Sequence, residues 1–379
     1  MNKRTLRCAI GAVLTVAVSA VFLPSAIGTG AEGKKPVKVD DATVDSFGRL
    51  AGAVLTDRTT ALLDGRSSGR IAPQREKKVR LSADLAHSED GALSSLRTRK
   101  SRLAGLGEAY TAADTKVTTG RTSVKDGRVT VEVTETTTLT YKKIRGDEPA
   151  TTGFKAHHEL TFTAASGGKW ELTAIRPTDQ GPRPVNAPVA KVAAAPSANS
   201  MPKATPASIR YPGRTPSGKQ AGSGYDYRAM AAYAEKYWRN YNPEYRKFND
   251  AGGDCTNFIS QALRAGGWKN APGSASDYRT WWYDSKAQST SWVGANEWSW
   301  FTLNAKRATN LSNVYKMDVG DIMQMDFDGD GSKDHSMITT YRSRAGIPYL
   351  TYHSTNTYRK SVASIIASNP DAVYYAYRT

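Results

Sequence analysis

A thiol, two imidazoles and a run of carboxylates carry most of the chemistry in this chain of 379 residues. The thiol is Cys255, set in Gly252-Gly-Asp-Cys-Thr-Asn-Phe-Ile-Ser-Gln-Ala-Leu263 and followed by Gly266 and Gly267. The leading glycines permit a close turn, and Asp254 is a favoured N-cap residue. Cys255, Phe258, Ile259, Ala262 and Leu263 recur at helical spacing. The segment predicts a helix with the cysteine in its first turn and a left-handed glycine at its end. At a helix N-terminus the dipole and the open N–H groups favour a thiolate and can hold an oxyanion. That is a position for a nucleophile. The bland alternative, a small buried hydrophobe, is the commonest role of a free cysteine. Cysteine usage weighs against it, because the other cysteine, Cys8, lies in a segment patterned like a removable export signal. The mature chain would carry one unpaired thiol into an oxidising compartment, where it is either a liability or a reactive group.

Residues 326–334 read Asp-Phe-Asp-Gly-Asp-Gly-Ser-Lys-Asp. Asp326, Asp328, Asp330 and Asp334 stand at positions 1, 3, 5 and 9 of a calcium loop, with glycine at position 6. Position 12 is Met337 instead of a bidentate glutamate, so the loop is not an EF-hand. A structural calcium ion is one reading, and no other cofactor is expected. The other reading is a tight hairpin whose aspartates accept from their own backbone.

The elements that must position these groups fall into two blocks. Residues 40–64 and 88–106 predict helices, with Phe47, Leu50, Val54 and Leu55 on one face and Leu93, Leu96, Leu103 and Leu106 on another. After Gly107 the period becomes two, with strands at 115–123, 128–141, 154–165 and 169–176 and a hairpin at Lys125-Asp-Gly127. This is a helix-then-antiparallel-sheet α+β block over 32–177. Its closing Gly-Gly-Lys-Trp170-Glu-Leu-Thr resembles the last strand of cone-shaped cystatin-like and nuclear-transport-factor-like folds. His87, His157 and His158 read as ordinary surface or half-buried residues. Residues 178–223, rich in Pro, Ala, Gly and Ser, read as a linker.

The second block, 224–379, opens with a helix at about 225–241 and continues through the cysteine helix. A Trp-rich stretch with Trp281, Trp282, Trp292, Trp298 and Trp300 comes next, as either core or the wall of a substrate groove. A short helix is expected at 296–307, strands at 321–325, 335–341 and 349–353, a helix at 361–367 and a strand at 372–378. His335 begins a strand, and His353 lies on the next one, across a hairpin loop, where it can sit beside His335 and orient it. Asn356 is the competing orienter.

Composition excludes several classes. The net charge is +17, but residues 181–223 hold six Lys/Arg and no acid. The linker is therefore the basic element, suited to a salt-sensitive contact with anionic cell-wall polymers or to a solubilising tether. No folded region carries the basic and aromatic pattern of nucleic-acid binding. Residues 1–31 have a basic start, an apolar run from Ala9 to Leu23 and small residues near Ala31, the pattern of a signal peptide. No later segment reaches the roughly 18 apolar residues of a membrane span. A secreted protein of four segments is expected: 1–31, 32–177, 178–223 and 224–379.

The order cysteine helix, then sheet histidine, resembles papain-like cysteine hydrolases. Gly253-Asp-Cys-Thr-Asn-Phe-Ile-Ser-Gln, Gly320-Asp-Ile322, Asp334-His335 and His353-Ser-Thr-Asn356 resemble the amidase-domain family of secreted bacterial proteins, similar to CHAP and NlpC-type peptidoglycan hydrolases. The resemblance covers 225–379. It implies Cys255 as nucleophile, His335 as general base and acid, and a polar third member at His353. Asn249, six residues before the cysteine, occupies the spacing of an oxyanion-donating side chain. Asp254 would raise the thiol pKa, and an imidazolium at His335 is expected to outweigh it. The implied activity is amide hydrolysis through a thioester, on peptides or peptidoglycan-like substrates. An amine acyltransferase and a non-catalytic wall-binding module are the rivals.

Overall fold

The computed structural model describes residues 39–65, 78–179, 181–188, 201–213, 224–249 and 253–379. The signal-like segment lies outside them. Lys38–Thr379 forms one compact unit.

Helix α1 (Asp41–Thr60) is capped by Asp40, whose carboxylate accepts from the Thr43 N–H. Strand β1 (Val79–Leu81) and helix α2 (Ala83–Gly105), capped by Ser82, lead into a four-stranded meander. Its members are β2 (Tyr110–Lys125), β3 (Arg128–Tyr141), β4 (Thr151–Ala165) and β5 (Lys169–Pro177). The β2–β3 turn takes Asp126 and Gly127 to φ of 51° and 73°, the twist-matched conformation that Asp-Gly favours. Helix α1 packs on the sheet through Phe47, which stacks on Phe162 at 3.8 Å between ring centroids. A buried ion pair joins the two helices, Arg58 Nε donating to Glu89 Oε2 at 2.9 Å.

The second half runs α3 (Tyr227–Tyr237), α4 (Cys255–Ala265), α5 (Thr290–Val293), α6 (Ala295–Asn304), β6 (Thr309–Leu311) and β7 (Ile322–Asp326). It ends with β8 (His335–Arg342), β9 (Pro348–Tyr352), β10 (Asn356–Ser361), α7 (Val362–Ser368) and β11 (Val373–Arg378). The fold is α+β, and the expected helix and strand order is present. Sequence reading missed β1, β6 and β10, short strands that take their conformation from the neighbours they pair with.

One of them decides the architecture. Strand β10 pairs with β9 on one side and with β4 on the other, Asn356 opposite Lys155 and Tyr358 opposite Gly153. The meander and the carboxy-terminal sheet are therefore one continuous sheet, in the order β1-β5-β4-β10-β9-β8-β7-β11-β6 with β3 and β2 branching from β4. The two blocks are separate in composition and share a sheet in the structure. One apolar cluster spans both, from Leu96, Tyr110 and Phe154 to Met337, Tyr352 and Ile365. The other, on the opposite face of β7, β8 and β11, holds Phe258, Ile338, Tyr377 and the tryptophans. Trp281, Trp292 and Trp298 are fully buried core, which decides between the two readings of that stretch. Trp282 and Trp300 are half-buried.

Part of the expected linker is packed. Asn186 is buried and donates through Nδ2 to Glu135 Oε1 at 2.7 Å and to Thr59 Oγ1 at 2.8 Å. Arg99 Nη1 grips the carbonyls of Val185 and Ala187. Composition could not show this, because a few residues docking on a preformed surface need no periodicity of their own. His158, also read as unremarkable, is buried and paired with Glu135 at 3.0 Å. His87 is exposed. Among the described residues no helix is long and apolar enough to cross a membrane.

Candidate functional site

Helix α4 begins at Cys255 and is buried from Cys255 through Leu263. Its apolar stripe meets the tryptophan core, and its polar residues are all paired. Ser260 donates to the Trp292 carbonyl at 2.9 Å, and Asn257 Oδ1 accepts from Trp292 Nε1 at 2.8 Å. Thr256 Oγ1 lies 2.9 Å from Ser336 Oγ, which pins the first turn to the start of β8. Gly267 ends the helix at φ 99°.

The expected N-cap is not made. Asp254 has φ −102° and ψ 5°, and its carboxylate bonds to no N–H of the first turn. It serves another purpose. Its Oδ1 accepts from the Phe248 N–H at 2.9 Å and from Asn257 Nδ2 at 2.9 Å, and its Oδ2 from His353 Nδ1 at 2.7 Å. Its own N–H donates to Ser354 Oγ at 3.1 Å.

Cys255 is 5 % exposed. Burial pushes its thiol up, and the Asp254 carboxylate adds to that; the Ser336 N–H and Thr256 work in the other direction. His335 is fully buried, and neither ring nitrogen has a hydrogen-bond partner. Burial pushes its pKa down to about 3. The expectation that an imidazolium at His335 would outweigh Asp254 is corrected here. In the resting arrangement desolvation wins at both groups, leaving a protonated thiol and a neutral ring.

The thiol receives the Ser336 N–H, so His335 is joined to it through a single peptide unit. Alternation along β8 still separates their side chains. Ser336 and Ile338 face α4, whereas Met337 lies in the cluster on the other face of the sheet. The His335 ring, at the end of the strand, stands 5.2 Å from Tyr352 and 6.5 Å from Phe327 between centroids.

His353 is placed elsewhere than beside His335. Nδ1 donates to Asp254, and Nε2 donates to the Tyr237 carbonyl at 2.9 Å. Its ring is sandwiched between Tyr241 and Phe258, at 4.0 and 3.9 Å. Asn249 and Asn356 meet at the Tyr241 hydroxyl, whose Oη lies 3.0 and 3.2 Å from their Oδ1 atoms. Both amides thus gather around Tyr241 and His353. Sequence reading missed Asp254 as a histidine partner, together with Tyr241 and Ser336. The only signal was that Asp254 adjoins the cysteine.

In the acidic loop, Asp326, Asp328 and Asp334 bring oxygens within 4.8 Å of one another. Their hard donors suit calcium. Asp326 accepts from the N–H groups of Gly329 and Gly331, and Asp330 from that of Ser332. Met337 is buried in the core and unable to act as a twelfth-position ligand.

Residues 224–377 match the family model described as "Putative amidase domain". Two Bacillus subtilis (strain 168) proteins, each named as uncharacterized, are similar to part of the chain. YhbB is 34% identical over 142 residues, 35% of this chain and 44% of that protein. YjcM is 34% identical over 143 residues, 35% of this chain and 32% of that protein. The chain thus spans less than half the length of either relative. The crystal structure of the intermembrane space region of chloroplast protein ARC6 aligns with 37% of this chain and 98% of its own, at 15% identity and a TM-score of 0.24, too low to establish a shared fold. The family match supports an amidase-domain family for residues 224–377 and, at a coarse level, hydrolysis of amide C–N bonds.

Proposed function

We propose that residues 224–379 form an exported, cysteine-dependent amidohydrolase acting on peptide or cell-wall peptide amides. Cys255 is the nucleophile and His335 the general base and acid. The observation that carries this reading is a fully buried imidazole with both nitrogens unspent, one peptide unit from the thiol. Buried polar groups are almost always paired, and an unpaired one points to a role outside the resting state. His353 has no nitrogen to offer. With a neutral thiol and a neutral ring, the proton moves during attack instead of beforehand. The His335 ring takes the thiol proton as sulfur bonds to the carbonyl carbon. It returns that proton to the leaving amine as the C–N bond breaks, and water then cleaves the thioester. The Cys255 N–H, at a helix start without an intrahelical acceptor, is the available oxyanion donor.

The test pairs turnover of a peptide library and of purified peptidoglycan with intact mass. Cys255→Ala should abolish turnover. His335→Ala should lower kcat by a factor of about 10² or more. Full turnover by His335→Ala sinks the assignment. Products carrying an added amine in place of water would identify an acyltransferase. Wall retention unchanged by both substitutions, with no turnover of any substrate by the wild type, would identify a binding module.

A further inference from the structure

We propose that Asp254 and His353 form a buried positioning pair for Cys255, in which the histidine holds and neutralises Asp254 and takes no proton from the thiol. This inference rests on Cys255 being the nucleophile. Four observations support it. First, both partners of the His353 ring are acceptors, a carboxylate at 2.7 Å and a carbonyl at 2.9 Å, so both nitrogens donate. A ring donating twice is an imidazolium, and the pair is a buried ion pair. Second, Tyr241 and Phe258 clamp the ring from its two faces, so it cannot turn to another partner. Third, Ser354 and Thr355, directly after His353, adopt φ of 59° and 69°. Two consecutive non-glycine residues in this region, one of them β-branched, are held against their preference by their surroundings. Ser354 is fixed from both sides, by the Asp254 N–H on its Oγ and by the close approach of Gly181 to its carbonyl. Fourth, Asp254 gives up the capping role open to it at the start of α4 and turns to His353 instead.

The consequence for the thiol is electrostatic as well as steric. Cys255 is adjoined by Asp254 from the turn before α4 and receives the Ser336 N–H of β8, with His335 one peptide unit away and His353 bonded to Asp254 from the end of β9. Tyr241 lies over His353, Lys247 Nζ stands 5.2 Å from the Tyr241 ring centroid, and Asp179 acts on the Tyr241 hydroxyl. An unneutralised Asp254 would oppose the negative charge that sulfur acquires during attack. His353 offsets that opposition while holding Asp254 in place before the helix.

The test is the pH profile of Cys255 alkylation by iodoacetamide, read by intact mass, since the rate follows the thiolate. Asp254→Asn removes the carboxylate charge and should move the profile down by about one pH unit. His353→Gln leaves that charge uncompensated and should move it up by a similar amount. The double substitution should return it close to the wild type. A pair that only braces the fold would move both single variants in one direction, or neither, and either result overturns the proposal. If His353→Gln fails to show a cooperative thermal transition, the sign of Asp254→Asn alone decides. The amidase reading fails separately, through unimpaired turnover by His335→Ala, and leaves these opposed signs intact.

Discussion

Lowering the pH should destabilise the protein through His335, and the structure sets the size of the effect. The ring is fully buried, and its folded-state pKa is about 3 against an ordinary value of 6.5. Because the folded value is depressed, the unfolded chain takes up the proton first as the pH falls. The stability this group supports is complete above pH 6.5 and is lost progressively as the pH drops towards 3. The slope is about 1.4 kcal/mol per pH unit, so the loss reaches about 2 kcal/mol at pH 5. Asp326 and Asp334, pushed up by burial, work in the opposite direction, but they are common to wild type and variant. The decisive comparison is therefore His335→Phe against wild type in urea unfolding at pH 7.5 and pH 5. A phenyl ring keeps the aromatic contacts with Tyr352 and Phe327 and cannot be protonated. Any packing penalty is the same at both pH values and cancels. The wild type should lose about 2 kcal/mol more than the variant between the two. Equal losses would mean that the ring is solvated or paired in the folded state. Cys255 and His335 would then not both rest in neutral forms.

Other outcomes follow from the same contacts. Arg58→Met strands Glu89 in a site where both side chains are 8 % exposed, and should cost about 3–5 kcal/mol by chemical denaturation. Asn186→Leu removes a donor from the buried Glu135 carboxylate and should cost about 1–3 kcal/mol, whereas a segment that only tethers would tolerate it. Calcium should raise the thermal midpoint of the wild type and not of Asp328→Asn, and an unchanged wild-type midpoint dismisses the ion.

Much of the scaffold was legible because its causes are local. Cys255 through Leu263 repeat apolar residues at the helical interval, Gly267 must be left-handed to stop them, and Asp126-Gly127 sets a hairpin without help from elsewhere. The cysteine, both histidines and the acidic loop could be singled out for the same reason: residue type and spacing survive without coordinates. What the sequence left open were choices among distant partners. His353 lies 99 residues from Asp254, and nothing in either neighbourhood announces that they meet. Strand β10 has six residues and becomes a strand because β4 and β9 supply hydrogen bonds on both edges, which joins two blocks that composition keeps apart.

Residue type and spacing were enough to mark which groups could react and on which helix and strands they would stand, since caps, periodicity and turns act within a few residues. Their charge states and partners follow from packing between distant parts of the chain. Burial, a property of the whole packed sheet, silences the thiol and the His335 ring at rest, and a contact across 99 residues commits His353 to Asp254.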